Sequence, residues 1–379
     1  MFVNQELHQE LKETAKSAAA RIIAETVKED EEQEIFRLEY IEALGEEGLC
    51  GIPTPEDFGG MGMGYLEYAI VLEEIGKVSA SYAISVAVTG LPQVILMQFG
   101  SAEQQEAWIP QLASGEMLGG FALSEPDSGS DAGSLTTTAV KEGDFYRLNG
   151  RKFWITHGGY ADVYIVMART GGPGPKGISS FIVPKDVEGL SFGKKEDKMG
   201  ARISPTAEMV LEDVIIPAAN LVGREGEGFS VAMQALDSGR ITIAATAVGL
   251  AQAALEEAAE YACIRKQFGQ SIIKFQGVGF MLADMAMKTE QARLLVHKAA
   301  SLKDAGLPYS HIAAMAKCAA TDAAMAVTTD AVQVFGGYGY TKEYNVERYM
   351  REAKVMQIVE GTNQIQRLVI ARNLQKQYS

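Results

Sequence analysis

The hydrophobic period changes twice along this chain, from helical to strand-like near residue 118 and back near residue 226, and that order limits the folds open to it. Before the first change, Leu7, Leu11, Ala15, Ala18 and Ile22 recur at three- and four-residue steps and predict one apolar helix face. Residues 66–75 and 94–99 continue the pattern. The stretch GIPTPEDFGGMGMG (51–64) reads as a turn-rich connector, because no strand precedes it and its glycines do not fit G-x-G-x-x-G. Between the two changes, residues 163–168, 178–183 and 207–216 read as strands. Asn149-Gly150, set between residues 146–148 and 152–155, predicts a hairpin turn. Short strands at this spacing point to a small β-barrel or sandwich. After the second change, residues 244–262, 281–300 and 311–335 form three long Ala-rich amphipathic segments, enough for a helical bundle. The absence of βαβ alternation argues against a doubly wound nucleotide-binding sheet. The expected class is therefore α+β multidomain: an N-terminal helical domain over 1–117, a middle β-domain over 118–225 and a C-terminal helical domain over 226–379.

Charge narrows the partners. Lys and Arg number 34 against 49 Asp and Glu, a net −15. Such a chain repels nucleic acid and anionic membrane, so neither is expected as a partner, and a polyanionic ligand would need cations concentrated locally. No apolar run reaches the roughly 20 residues that a membrane span needs. The opening MFVNQELHQELKETAKSAAARII lacks the layout of a signal peptide and is too acidic for a transit peptide, so a cytoplasmic bacterial location is expected ahead of a mature mitochondrial one. Cys50, Cys263 and Cys318 are odd in number and far apart, and His8, His157, His297 and His311 show no ligand spacing. No disulfide and no metal is expected.

Four stretches carry the chemistry. FALSEPDSGSDAGS (121–134) packs small residues, hydroxyls and acids after an apolar strand start, which suits a hydrogen-bonding ring edge or a polar surface loop. KFWITHG (152–158) sets Trp154, either core or cofactor wall, before the hydroxyl of Thr156. IRKQFGQSI (264–272) places Arg265 and Lys266 beside Phe268 and Gly269, a pyrophosphate partner or a solvated helix end. QVFGGYGYTKEYNVERYMREAKVMQIVEGTNQIQR (333–367) contains Glu347, Arg348, Arg351 and Glu352 at the spacing of helix-surface ion pairs. In the same stretch Glu360 follows apolar Ile358-Val359 and precedes Gly361-Thr362. A carboxylate so flanked is partly desolvated and its pKa rises, which suits a base.

Taken together and in this order, these stretches resemble the acyl-CoA dehydrogenase family over essentially the whole chain, nearest the short-chain, butyryl-CoA type. LSEPDSGSDAG and QVFGGYGYTKEYNVERYMREAK resemble its two signature segments, and VEGTNQIQR the segment that carries its base. The resemblance implies FAD as cofactor, a C-terminal four-helix bundle, a homotetramer built as a dimer of dimers, and electron-transferring flavoprotein as acceptor. It implies that Phe121, Leu123 and Ser124 line the flavin, with Gly129 and Ser130 beside them and Ser130 also near the CoA arm. Trp154 and Thr156 would flank the ring. Arg265 and Phe268 would reach the FAD of a neighbouring subunit, with Gln333, Gly336 and Gly337 doing likewise. Thr362 and Gln364 would close over the cofactor.

On the substrate side the resemblance assigns Asp237, Arg240, Val359 and Gly361, with Ser130. The implied reaction is α,β-dehydrogenation of an acyl-CoA to the trans-2-enoyl-CoA. Glu360 takes the α-proton while hydride leaves the β-carbon for flavin N5. The thioester carbonyl is polarised by the FAD ribityl hydroxyl and the N–H of the base. Some relatives carry the base at the position of Gly239, which has no carboxylate here. Val359, Asn345 and His157 depart from frequent family residues, and short- or branched-chain acyl groups are the expected substrates. Arg240, and at the loop above it Arg202, are the cations expected to meet the CoA phosphates. The alternative on the same fold is a flavin monooxygenase or nitroalkane-type oxidase.

Overall fold

The computed structural model describes residues 5–379. Six helices come first: α1 (Gln5–Ile22), α2 (Val27–Gln33), α3 (Leu38–Glu46), α4 (Tyr65–Val78), α5 (Ala80–Phe99) and α6 (Ala102–Ala113). Leu11, Ala15, Ala18 and Ala19 are the buried stripe of α1, the three- and four-residue rhythm of the sequence. The N-terminus of α4 is capped from far along the chain, where Asp304 accepts from the backbone N–H groups of Tyr65 (2.7 Å) and Leu66 (3.0 Å). One expectation changes here. Helix α5 is 20 residues long and apolar enough to cross a membrane by length and composition, but most of it is buried inside the protein. A helix apolar on every side is a core helix in this setting.

Strands follow: β1 (Gly119–Ala122), β2 (Thr138–Glu142), β3 (Phe145–Thr156), β4 (Val163–Arg169), β5 (Ile178–Pro184), β6 (Leu190–Lys195), β7 (Thr206–Pro217) and β8 (Leu221–Val222). They form one sheet in the order β6-β7-β3-β2-β4-β5-β8, with β1 parallel to β4. Only Thr138 and Arg169 pair across β2 and β4, so the sheet divides there into two halves.

Asn149-Gly150 is not a hairpin turn. β3 runs through it for 12 residues, and the dipeptide lies opposite a bulge in β7, where Glu212 and Asp213 face the single residue Asn149. Gly150 has φ +152, and the Asn149 side chain donates to Asp213 Oδ1 (3.0 Å) and accepts from its backbone N–H (2.8 Å). The turn sits earlier, at Gly143-Asp144, between the paired residues Glu142 and Phe145.

The chain then returns to helices: α7 (Gly228–Ile264), α8 (Gln276–Asp304), α9 (Ser310–Phe335), α10 (Val346–Met356) and α11 (Asn363–Tyr378). A small hairpin of β9 (Lys266–Gln267) and β10 (Gln270–Ser271) interrupts them. The run of charges on α10 divides in two. Arg351 and Glu347 make the expected surface pair (2.7 Å), but Arg348 and Glu352 are buried, bonded at 3.1 Å, and Arg348 also donates to the Val78 carbonyl (3.3 Å). Pairing is what allows two charges to sit inside the fold.

Candidate active site

Glu360 lies in the loop between α10 and α11. Its φ is +54 and that of Gly361 +85, and two successive left-handed residues reverse the chain within one step. Thr362 caps α11, its hydroxyl accepting from Ile365 N–H (3.3 Å). The Gln366 amide, one turn on, donates to the carbonyls of Glu360 (3.0 Å) and Gly361 (2.9 Å). Among the described residues, no acceptor takes the backbone N–H of Glu360.

The Glu360 side chain is directed at α7, where Gly239 leaves the room it fills: a Cβ at 239 would fall 2.5 Å from Glu360 Oε2. That oxygen is sealed and has no hydrogen-bond partner. Burial pushes the carboxyl up to about 7, against the opposing pull of the Arg240 and Lys317 charges. A carboxylate that is desolvated, poised near neutrality and next to a free N–H can remove a proton from carbon and hold the adjoining carbonyl oxygen.

Arg240 is 5% exposed and pairs with Asp237, which also accepts from the Ser310 hydroxyl (2.9 Å). Burial holds Asp237 above the usual carboxylate range despite both partners. Arg240 therefore belongs beside the base. It lies deep in the fold, where Asp237 already takes its charge. Arg202 is also committed elsewhere: it pairs with Glu34, and its N–H donates to Glu31 Oε2 (2.9 Å), pinning its loop to α2.

A second group gathers where the loop after β1 meets β3. Phe121 pairs with Ile165 on β4, and Ser124 accepts from the Phe153 N–H (2.8 Å), which ties FALSEPDSGSDAGS to KFWITHG. Under this join lies a buried ion pair that the sequence reading missed. Lys152 Nζ donates to Glu125 Oε1 (2.8 Å) and to the Leu123 carbonyl (3.1 Å), and Glu125 also accepts from the N–H groups of Thr136 (2.6 Å) and Thr137 (2.9 Å). Burial alone would raise Glu125, but Lys152 and these donors overturn it and hold the carboxyl at about 2.

Trp154 is not core. It stands at φ +62 with 62% of its surface exposed, while Thr156, at the end of β3, is half-buried opposite Thr206. His157 is fully buried, its Nδ1 2.9 Å from the Gly119 carbonyl, and burial lowers its pKa to about 4, so the ring is neutral.

A third group forms a groove of about 660 Å³, where Arg265 meets Gly336, Gly337 and Tyr338. Gly336 has φ +62, and a Cβ at either glycine would meet nothing within 4 Å, so exposed backbone faces open room. The Arg265 guanidinium lies over the Tyr338 ring at 5.6 Å. Arginine, bare backbone and an aromatic face together fit the phosphates and adenine of a dinucleotide such as FAD. Phe268 and Gly269 form the tip of the β9–β10 hairpin at φ +48 and +79, and Phe268 is 94% exposed. Gln333 is exposed in the last turn of α9. Gly129, Ser130 and Gln364 are exposed as well and bond to none of the other candidates, while Val359 is half-buried beside the base. Among the described residues no cluster could hold a metal ion.

Comparison with known proteins places the chain in a family. Family models match in chain order: acyl-CoA dehydrogenase N-terminal domain over residues 5–116, middle domain over 120–214 and C-terminal domain over 226–375. The short-chain specific acyl-CoA dehydrogenase of Clostridium acetobutylicum is 47% identical over 367 residues, covering 96% of each chain. The butyryl-CoA dehydrogenase structure from Megasphaera elsdenii superposes with a TM-score of 0.97 at 45% identity, over 99% of both chains. A chain solved in work on the electron transferring flavoprotein of Acidaminococcus fermentans gives 0.97 at 49%, again over 99% of both. With three domain models matched in order and likeness of this extent in both sequence and structure, the chain belongs to the acyl-CoA dehydrogenase family.

Proposed function

We propose that this protein oxidises a short-chain acyl-CoA to the trans-2-enoyl-CoA, with Glu360 as the base. Members of the family are FAD-dependent oxidoreductases, and the groove at Arg265, Gly336 and Gly337 fits that cofactor. The observation that carries the reading is the sealed, partnerless Oε2 of Glu360, held near neutral pKa beside an unpaired backbone N–H. The carboxylate takes the α-proton of the thioester, an acid too weak to give it up unaided. The Glu360 N–H stabilises the negative charge that builds on the thioester oxygen. Arg240 keeps the carboxylate ionisable in a dry site, and Gly239 leaves the room that the carboxylate occupies. FAD, when bound, supplies the acceptor for the hydride that leaves the β-carbon.

A short acyl group is supported by the relatives, which are named for short-chain and butyryl substrates. Electron-transferring flavoprotein as acceptor is supported by the setting in which the Acidaminococcus relative was solved. Contact with a neighbouring subunit is supported by Phe268, whose ring at the β9–β10 tip is nearly bare.

Mixing the purified yellow enzyme with butyryl-CoA without oxygen tests the reading. The parent bleaches. Glu360→Gln binds the thioester and bleaches slower by about 10³-fold or more. Near-parental bleaching in that variant removes Glu360 as the base, and a parent that no acyl-CoA bleaches points to an oxidase on the same fold.

A further inference from the structure

Lys317 sits on the buried stripe of α9 that Ala313, Ala316, Ala320 and Ala324 make, and it is wholly buried. Packing does not ask for an ammonium in a row of alanines, and burying one costs free energy unless it is bonded. Its bonds run to the loop of the base. Nζ donates to the Gly361 carbonyl (2.9 Å) and to Asn363 Oδ1 (2.9 Å), and thus holds the chain on both sides of Thr362. Asn363 is fixed in turn, its amide donating to Asp322 Oδ1 (2.7 Å) and Thr321 Oγ1 (2.9 Å). The held segment is the left-handed pair Glu360-Gly361, a conformation that persists only when its surroundings impose it.

Charge adds a second role. Two cations face Glu360, Arg240 from α7 and Lys317 from α9, while α11 presents the uncharged Gln366. Arg240 is already committed to Asp237, whereas among the described residues Lys317 has no carboxylate at ion-pair distance. The charged or ionisable groups around Lys317 are Glu360, Cys318, Arg240 and Asp322; burial lowers it to about 8, against the pull of Glu360.

We propose that Lys317 is a positioning residue for the base: it fixes the loop that aims Glu360 and its N–H at one point, and its unspent positive charge favours the carboxylate form. This rests on Glu360 being the base. The same lysine then links shape to ionisation, so removing it changes both the limiting rate and the pH at which the rate develops.

Anaerobic single-turnover reduction of the holoenzyme by butyryl-CoA, followed from pH 5.5 to 9.5, tests it in Lys317→Gln, Lys317→Arg and Glu360→Gln. In Lys317→Gln the rising limb moves alkaline by about one pH unit or more, since a lost neighbouring charge of this kind is worth that much. The limiting rate falls about tenfold, while acyl-CoA binding stays within about threefold. Lys317→Arg, which keeps the charge but not the reach, retains the parental midpoint at a reduced limiting rate. A parental midpoint in Lys317→Gln makes Lys317 a structural lysine and overturns the proposal. Where Lys317→Gln does not fold, Lys317→Arg alone decides, and a parental limiting rate in it overturns the proposal. Glu360→Gln separates the two readings. If it reduces normally, the base assignment has failed; if it is dead while Lys317→Gln keeps the parental midpoint, only the role of Lys317 has failed.

Discussion

The carboxylate of Glu360 occupies the space that a side chain at Gly239 would need: a Cβ there would lie 2.5 Å from Oε2 and 2.9 Å from the carboxyl carbon. Two elements distant in sequence, α7 and the loop before α11, therefore compete for one small volume. A chain of this fold can deliver a carboxylate to it from either side but cannot crowd it from both.

Gly239→Ala follows directly. In the middle of a helix the substitution favours folding by about 0.5–1 kcal/mol. The atom it meets is the far end of a flexible side chain, so Glu360 yields and the fold does not. We expect unchanged or raised thermal stability with flavin reduction by acyl-CoA slower by at least about tenfold. Parental reduction would mean that the carboxylate has slack at this position.

Glu360 also weakens the fold at neutral pH. Its carboxyl rises from 4.5 to about 7 on burial. A native state that holds the proton more tightly than the unfolded chain is favoured at low pH and loses that advantage as pH climbs through the native value. Glu360→Gln should match the parent below about pH 4.5 and become the more stable protein between there and pH 7. Above pH 7 the gap is on the order of 3 kcal/mol. Thermal unfolding of the two proteins at pH 5 and pH 8 reads it, and curves that run parallel would contradict it.

Removing one half of the Lys152–Glu125 pair strands a charge under the loop that carries Leu123 and Ser124. Lys152→Met is expected to cost about 3–5 kcal/mol and to release FAD more readily. Adding Glu125→Gln to it should recover part of the stability. If the double variant is no better than the single one, the pair is not the source of the loss.

Arg265→Ala takes the cation from the groove beside Gly336 and Gly337. A charge-assisted bond to phosphate contributes about 1.5–3 kcal/mol. FAD retained through gel filtration should drop while the far-ultraviolet circular dichroism stays parental. Full retention would dissociate this groove from the cofactor.

The order of helices and strands is legible in this sequence because the period of its apolar residues changes with the element. Glu360 has the raised pKa expected of it, but its apolar flank is not the cause: Ile358 is exposed, and the carboxylate is sealed against α7 at Gly239. The two buried lysines carry a weaker signal. Lys152 shares the inward parity of Tyr146 and Leu148, and Lys317 falls on an alanine stripe at three- and four-residue steps. What each lysine holds is a backbone carbonyl 29 or 44 residues away, and local pattern does not reach that far. Asn149-Gly150 misleads for a related reason. The dipeptide suits a turn and a strand interior alike, and the choice is made by β7, which pairs with β3 on both sides of it and takes up the mismatch as a bulge of its own.

Trp154 gives the molecule a built-in optical reporter. The chain has two tryptophans: Trp108 on α6, half-buried against apolar neighbours, and Trp154, held by its backbone with most of the indole bare. Their emission should differ in wavelength and in access to quenchers. A Trp108→Phe protein carries a single indole in the KFWITHG segment, so whatever settles against that segment changes its fluorescence, and occupancy can be followed in real time with no added dye.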